Sequence, residues 1–306
     1  MATVTIQNIT KTYQKGTVKA LDSVSFIVNT GELFGLIGAD GAGKTTLFRI
    51  LTTLLVPDSG TATVAGLDVV RDFKEIRKIV GYMPGKFSLY QDLSIEENLN
   101  FFATVFGTTV AQNYDLIREI YVQIEPFKKR PAGKLSGGMK QKLALCCALI
   151  HEPKVLFLDE PTTGVDPVSR KEFWEMLGRL QQRGITIVVS TPYMDEAKLC
   201  DRIALIQNAN ILDVDTLTGI LNKNQQHLFA VSSSNMYQLL KDLRAFSGTI
   251  SCFAFGQKHH VQLKSGDNSF NNLMRFLEQK GHQHIEILPI SPDIEDTFIK
   301  LMHDAY

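Results

Sequence analysis

The stretch Gly38-Ala-Asp-Gly-Ala-Gly-Lys-Thr45 decides the fold class, because it fits the pattern G-x-x-x-x-G-K-[ST] of a phosphate-binding loop. An apolar run, Glu32 to Ile37, precedes it. The apolar positions after it have the i, i+3, i+4, i+7 spacing of a half-buried helix: Leu47, Ile50, Leu51 and Leu54. A glycine-rich turn between a buried strand and a helix points backbone N–H groups and the positive helix end at an anion. The sequence therefore predicts an α/β fold with a site for nucleotide phosphates.

The residues of this loop have separate predicted roles. Lys44 is expected to reach the β- and γ-phosphates, Thr45 to bind Mg²⁺, and Thr46 to add a phosphate contact. The other predicted nucleotide contacts are Gly38, Ala39, Asp40, Gly41, Ala42 and Gly43. The alternative is a glycine-rich turn with an incidental lysine, and the flanking strand and helix argue against it.

A second candidate element is Val155-Leu-Phe-Leu-Asp-Glu160, an apolar run that ends in two carboxylates. Parallel α/β sheets bind ligands at the carboxyl ends of their strands. We expect Asp159 to hold Mg²⁺, directly or through water, and Glu160 to polarise the attacking water as general base. A buried strand followed by an acidic turn is common, so this prediction depends on the upstream phosphate loop.

The stretch Leu135-Ser-Gly-Gly-Met-Lys-Gln141 predicts a second anion site, at the start of another helix. With the phosphate loop, it makes residues 1 to about 220 resemble the ATP-binding cassette (ABC) ATPases. In that family two domains pair head to tail, and each ATP is bound by the phosphate loop of one and the signature of the other. Thr163-Gly-Val-Asp166 resembles the loop that crosses this interface. The resemblance thus assigns Ser136, Gly137, Gly138 and Asp166 to the ATP of a partner.

The resemblance also assigns a role to Tyr13, which matches the aromatic residue that stacks on adenine. A tyrosine packed at the end of a strand is the alternative interpretation. The implied fold is that of a P-loop NTPase with an inserted helical lobe, and the implied cofactors are ATP and Mg²⁺.

Two further stretches resemble the ATP-binding subunits of ABC-2-type exporters, the daunorubicin-resistance kind in particular. They are Ser190-Thr-Pro-Tyr-Met-Asp-Glu-Ala197 and Pro292-Asp-Ile-Glu-Asp-Thr-Phe298. The resemblance implies an ATPase that powers export through a separate polytopic membrane subunit, together with a second ABC ATPase subunit. It also implies a cytoplasmic position, peripheral on the inner face of the membrane. The longest apolar run, Leu143 to Ile150, is too short to cross a bilayer.

Two positions depart from the family pattern. Gly85 follows Tyr82-Met-Pro84, where the family has a glutamine that senses the γ-phosphate and Mg²⁺, and Pro192 stands where it has a histidine. We therefore hypothesise that this chain's own ATP site is slow and that its signature completes the site of a different partner, in an asymmetric heterodimer. The alternative is a homodimeric exporter ATPase with relocated sensors, for which Gln91 is a candidate.

The chain has 306 residues with equal numbers of acidic and basic side chains, 32 of each, so no basic excess favours nucleic acid as a partner. We predict an ABC ATP-binding domain over residues 1–221, with its helical lobe at about 85–150. A polar linker, Asn222 to Gln226, then begins a C-terminal accessory domain over residues 222–306. The βαββαβ order of that domain indicates a small α+β ferredoxin-like fold.

Other functional classes are less consistent with these motifs. A soluble ABC switch protein acting on ribosomes or DNA usually carries two cassettes or a long coiled coil. An unrelated P-loop kinase or GTPase would lack the signature and the Thr163 to Asp166 loop. No motif identifies the cargo, so export of drugs, lipids or polysaccharides stays open.

Overall fold

The computed structural model describes residues 1–223, 227–264 and 269–304. The contacts divide the chain into two compact units, Met1–Leu217 and Thr218–Tyr306. Residues 224–226 of the predicted linker lie outside the described residues. The prediction was wrong for Asn222 and Lys223, which end a helix that begins at Leu217.

The strands of the first unit are β1 (Ala2–Tyr13), β2 (Val18–Asn29), β3 (Leu33–Ile37), β4 (Ser59–Val64), β5 (Leu67–Asp68), β6 (Val80–Met83), β7 (Val155–Asp159), β8 (Thr186–Thr191), β9 (Arg202–Gln207) and β10 (Asn210–Asp215). Its helices are α1 (Lys44–Leu51), α2 (Phe73–Ile79), α3 (Ile95–Val105), α4 (Tyr114–Tyr121), α5 (Gly137–Leu149) and α6 (Pro167–Gln182), and α7 (Leu217–Lys223) follows.

A six-stranded sheet, ordered β10-β9-β3-β8-β7-β6, forms the centre of the first unit. All neighbours pair in parallel except β10, which runs antiparallel to β9. The fully buried strands read as continuous apolar runs, as expected for a parallel sheet covered on both faces. The carboxyl ends of β3, β8, β7 and β6 therefore meet at one edge, where the site lies.

The helix after the phosphate loop is shorter than predicted. It ends at Leu51, and Thr53 adopts a left-handed backbone with φ of 62°. Leu54 is consequently off the helix and 57% exposed, so its assignment to the buried face was wrong. Leu47, Ile50 and Leu51 are buried as predicted.

A second sheet, ordered β2-β1-β4-β5, is antiparallel. Its apolar face packs into the same core as α1 and the central sheet, through residues such as Val4, Ile6 and Val28. Tyr13 is the last residue of β1, close in space to α1.

Helices α3, α4 and α5 lie in the segment between β6 and β7. Ser94 begins α3 with a capping box: its Oγ accepts from the Glu97 N–H, while the Glu97 carboxylate accepts from the Ser94 N–H. Ile95, Leu99 and Leu143 are buried in a core shared with α6.

The second unit contains β11 (Leu228–Ser232), α8 (Met236–Ala245), β12 (Thr249–Phe255), β13 (Lys258–Leu263), α9 (Ser269–Gln279), β14 (Glu286–Ile290) and α10 (Ile294–Asp304). Its antiparallel sheet is ordered β12-β13-β11-β14, the ferredoxin-like arrangement that the sequence predicts. Leu239 and Leu243 of α8 and Leu273 and Leu277 of α9 share its core. In neither unit does a described helix have the length and apolar character needed to cross a membrane.

Candidate nucleotide site

The phosphate loop requires glycine at positions where a side chain would meet backbone. A Cβ on Gly38 would lie 2.0 Å from the carbonyl oxygen of Ile206. Gly43 has φ of 113°, and a Cβ there would lie 2.2 Å from the carbonyl oxygen of Ala20. The loop therefore packs on its own fold through bare backbone. Its tip, Ala39 to Gly41, is exposed, and Ala42 is buried.

Lys44 is the first residue of α1 and is 3% exposed. Its Nζ donates to the carbonyl oxygens of Gly38 at 2.8 Å and Ala39 at 3.0 Å. The same Nζ lies 3.0 Å from Oε1 of Glu160. The structure thus brings Lys44 and Glu160 together from positions that are distant in sequence, and it places Thr45 and Thr46 half-buried in the first turn of α1.

Asp159 is the last residue of β7 and is 2% exposed. The register pairs it with Ser190 of β8, whose Oγ donates to Asp159 Oδ1 at 2.6 Å. Asp159 Oδ2 accepts no hydrogen bond from any described residue. This carboxylate oxygen, together with the Thr45 hydroxyl, offers the hard oxygen ligands that Mg²⁺ prefers. These residues therefore fit the predicted metal.

Glu160 adopts a left-handed backbone with φ of 49°, unusual for a non-glycine residue. Its N–H donates to both the carbonyl oxygen and Oγ of Ser190, each at 3.0 Å. Such backbone strain is concentrated at functional sites. Ser190 thus contacts the Asp159 carboxylate and the Glu160 backbone, a role that the sequence alone does not reveal because it follows from strand register.

Tyr13 is 36% exposed, and its hydroxyl lies 3.3 Å from Oγ1 of Thr46. The structure therefore places this tyrosine beside the helix that follows the phosphate loop. An exposed ring in this position is available for stacking.

The residues predicted to act on a partner's ATP form a second group. Ser136 caps α5 by accepting from the Met139 N–H, and the N–H groups of Gly137 and Gly138 make no hydrogen bond within the described ranges. A Cβ on Gly138 would lie 2.8 Å from Oγ of Ser169. Asp166 caps α6 by accepting from the N–H groups of Val168 and Ser169, and this hydrogen bonding, that of Ser169 foremost, lowers its pKa. No described hydrogen bond or ion pair joins this group to Lys44.

The two departing positions lie at the same sheet edge. Gly85 follows β6, and a Cβ there would lie 3.0 Å from the carbonyl oxygen of Asp159. Pro192 directly follows β8 and offers no donor. The backbone of Gln91 accepts from the Gly133 N–H, and its side chain lies beside Gly133. The structure therefore gives no support to Gln91 as a relocated sensor.

A buried carboxylate that the sequence analysis missed lies behind this edge. Glu196 is 1% exposed and accepts hydrogen bonds from Thr162, Trp174 and Thr191. It therefore joins the segment after β7, helix α6 and the end of β8. Nothing in the local sequence distinguishes Glu196 from its exposed neighbour Asp195.

A mostly apolar cavity of about 600 Å³ opens beside Glu160 within the first unit. Residues in the loop after β6, on α3 and directly after it, and on α5 line it, including Pro84, Phe87, Phe102, Phe106 and Ala144. The ring of His151 stacks on Phe106 at 3.8 Å, and burial lowers the pKa of His151. Phe106 is 37% exposed, so the cavity has an apolar mouth.

Comparisons with known proteins are consistent with this geometry. A family model described as "ABC transporter" matches residues 21–163. The chain is 45% identical over 313 residues to the probable multidrug ABC transporter ATP-binding protein YbhF of Escherichia coli; the match covers 99% of this chain and 53% of YbhF. The chain therefore spans about half the length of that relative.

A second relative is matched over most of both chains. The doxorubicin resistance ATP-binding protein DrrA of Mycobacterium tuberculosis is 40% identical over 268 residues, which cover 87% of this chain and 79% of DrrA. A solved structure of an ATP binding subunit of an ABC transporter superposes with a TM-score of 0.65 at 26% identity, covering 72% of this chain and 92% of that one.

Proposed function

Because this chain belongs to the ABC transporter family of ATP-binding proteins, we propose that it binds and hydrolyses Mg·ATP to power an ABC-2-type exporter. The observation that carries the proposal is the convergence of Lys44, Asp159 and Glu160 at one sheet edge, beside a glycine loop that packs on its own fold through bare backbone at two positions. We further propose that drugs are the cargo class, as the names of these two relatives suggest.

In this proposal each residue of the chain has a defined task. The backbone N–H groups of the loop and the first turn of α1 hold the phosphates. When ATP binds, the Lys44 ammonium group leaves its ion pair with Glu160 and contacts the phosphate oxygens instead. Glu160 is then free to accept a proton from water. Thr45 and Asp159 would hold Mg²⁺, which supplies neutralisation of the charge that develops on the transferred phosphoryl group.

We also propose that this chain's own ATP site is the slow one of an asymmetric pair. The position of Gly85 carries no side chain, and Pro192 carries no donor. The nearest hydroxyls of β8 are already engaged, since Ser190 donates to Asp159 and Thr191 donates to Glu196. Loss of one well-placed donor to a transition state typically costs about 10²–10³ in rate.

The second group of residues supports a role in trans. The free N–H groups of Gly137 and Gly138 and the nearby Asp166 are not connected to Lys44 by any described hydrogen bond. We propose that they complete the ATP site of a second ABC subunit. The apolar mouth around Phe106 would receive a helix of the polytopic membrane subunit, which would hold this chain at the inner face of the membrane.

The proposal is tested by purifying the tagged chain from membranes in mild detergent and identifying every protein that accompanies it. A second cassette protein with glutamine and histidine at the two sensor positions, plus a polytopic subunit, is the expected result. This chain as the sole cassette beside a polytopic subunit would overturn the asymmetric pair and favour the homodimer. Ribosomal proteins without a membrane protein would overturn export.

A variant of the same chain tests whether the polytopic subunit binds at the apolar mouth of the cavity. Phe106→Asp is expected to abolish recovery of the polytopic subunit while ATP binding is retained, because it places a charge in the apolar mouth. The matched control is Val122→Asp, which adds the same charge at an exposed apolar residue directly after α4, outside the cavity lining, and is expected to leave recovery unchanged. Equal recovery with both variants would place the partner elsewhere.

A further inference from the structure

A second cavity lies wholly within the second unit, between its sheet and α10. Its volume is about 500 Å³, inside the range of small-molecule sites. Strands β12 and β13 contribute Ser251, Phe253, His260 and Gln262 to its lining, and α10 contributes Asp296 and Lys300. None of these residues has a task in the proposed ATPase function.

The side of the sheet that holds the cavity is set by the alternation of side chains along the strands. Cys252 of β12 and Val261 of β13 belong to the core that α8 and α9 cover. Successive strand residues point to opposite faces, so Ser251 and Phe253, and likewise His260 and Gln262, lie on the other face. The helices therefore leave a half-buried face of the sheet, to which α10 adds side chains and the last turn of α8 adds Arg244.

Several hydrogen-bond donors that line the cavity have no partner among the described residues. Arg244 also lines the cavity; its Nε donates to the carbonyl oxygen of Cys252, and its two terminal amino groups have no partner among the described residues. Lys300 has no hydrogen bond or ion pair within the described chain. Gln262 uses its oxygen to accept from Ser251 Oγ, which leaves its amide N–H₂ group available.

The buried acceptors, in contrast, are already used. Asp296 is 7% exposed; its Oδ1 accepts from His260 Nδ1 at 2.8 Å, and its Oδ2 accepts from the Asp293 N–H at 3.1 Å. The other lining carboxylate, Asp304, is exposed at the end of α10. The unsatisfied groups are thus mainly cationic or amide donors, and oxyanions are the ligands that such donors bind best.

Apolar side chains complete the wall of the cavity. Leu228, Ile250 and Phe253 line it, and the Phe253 ring packs against His303 at 5.5 Å between centroids. A site that combines apolar walls with a few convergent polar groups is typical for small organic ligands. We propose that this cavity binds a small organic anion: a carboxylate carried on an aromatic or similarly flat apolar body.

The test is isothermal titration calorimetry of the 306-residue chain, without nucleotide, using 1-naphthoate as the probe and 1-naphthamide as its neutral isostere. We expect saturable binding of the acid and binding of the amide weaker by about tenfold or more, because charge-assisted hydrogen bonds to the carboxylate are lost. Because nucleotide is absent, failure of the proposed ATPase function would not alter this result.

Variants locate the site. Arg244→Gln and Lys300→Gln are each expected to weaken 1-naphthoate binding by about tenfold. The matched control, Lys241→Gln, removes an exposed cation from α8 that lies 4.4 Å above the Tyr237 ring, outside the cavity lining, and should leave binding unchanged. Absence of saturable binding, equal affinity for acid and amide, or an equal effect of all three variants would overturn the proposal. The acid–amide comparison uses the unaltered chain and so stands even where a variant fails to fold.

Discussion

Restoring the two missing side chains, Gly85→Gln and Pro192→His, is the sharpest test of the slow site. A Cβ at Gly85 would lie 3.0 Å from the carbonyl oxygen of Asp159 and 3.8 Å from Cβ of Glu160, so a side chain there begins beside both carboxylate residues. To relieve the first contact, the Asp159 carbonyl group must move by a few tenths of an ångström. The φ of Gly85 is not left-handed, so the backbone accepts glutamine. Pro192 is half-buried at the end of β8, and histidine there restores a side-chain donor and a backbone N–H.

The expected size of the effect follows from the value of a transition-state donor. One such donor is worth about 10²–10³ in rate. The tight contact with Asp159 will offset part of the gain at position 85. We therefore expect Pro192→His alone to raise turnover about tenfold and the double variant about a hundredfold, which corresponds to about 1.4 and 2.7 kcal/mol of barrier. The assay is phosphate release at saturating Mg·ATP, with Glu160→Gln in each background as the blank.

Alanine variants at the two positions separate the effect of the added side-chain group from the effect of the altered backbone. Pro192→Ala relieves the proline constraint and restores the backbone N–H without adding a side-chain donor, and Gly85→Ala adds the Cβ contact without a functional group. Both are expected to leave turnover near that of the unaltered chain. The reasoning would be refuted if the unaltered chain already turned over at several per second in a Glu160-dependent manner, or if Pro192→Ala matched Pro192→His.

Four other predictions concern the site, the loop that forms it and the buried thiols. Lys44→Ala should weaken Mg·ATP binding at least tenfold in a fluorescence titration, since a charge-assisted contact worth more than about 1.4 kcal/mol is lost, whereas the exposed Lys78→Ala should not. Gly38→Ala should lower the free energy of unfolding by about 1–3 kcal/mol, because its Cβ would meet the Ile206 carbonyl oxygen. The control is Gly178→Ala in α6, where an added Cβ has nothing within 4 Å; this change should be neutral or stabilise the chain by up to about 1 kcal/mol. Thermal unfolding of the two variants measures the difference. Burial raises the pKa of Cys146, Cys147 and Cys200, and that of Cys252 to about 11, so all four thiols should react slowly with Ellman's reagent at pH 8 until the chain is unfolded. Because these thiols ionise more readily in the unfolded chain, stability should fall as pH rises above about 9, and rapid native labelling would contradict the assigned burial.

The central sheet was predictable because its strands are continuous apolar runs next to recognisable motifs. Val155 to Leu158 and Ile185 to Val189 were predicted as buried parallel strands, and the structure confirms them as β7 and β8 with small changes at the ends. The ABC fold class is confirmed as well. The long strands β1 and β2 gave no comparable signal. Asn8 in β1 has φ of 51°, and the register shifts between Ile6 and Ile9, so the period of two that marks a strand is interrupted.

The sequence predicts only those site residues that lie within short local motifs. Lys44, Asp159 and Glu160 follow from two short stretches, and their assigned roles stay predictions. The contact between Lys44 and Glu160 depends on the order β3-β8-β7, in which one strand separates the two. The contacts of Ser190 with Asp159 and Glu160 depend on the register of β8 against β7. Strand order and register arise from long-range pairing, which a short motif does not encode.

The contacts at the end of β8 bear on the proposed asymmetric pair. Ser190 donates to Asp159 and accepts from the backbone N–H of the strained Glu160, and Thr191 donates to the buried Glu196, so this segment supplies the hydrogen bonds that support the carboxylates. The next residue, Pro192, offers no donor. The left-handed Glu160 and the buried Glu196 would both oppose stability if they were unsupported. A site whose carboxylates are supported in this way, but which has no side-chain donor at Gly85 or Pro192, is suited to bind nucleotide and to hydrolyse it slowly, as proposed.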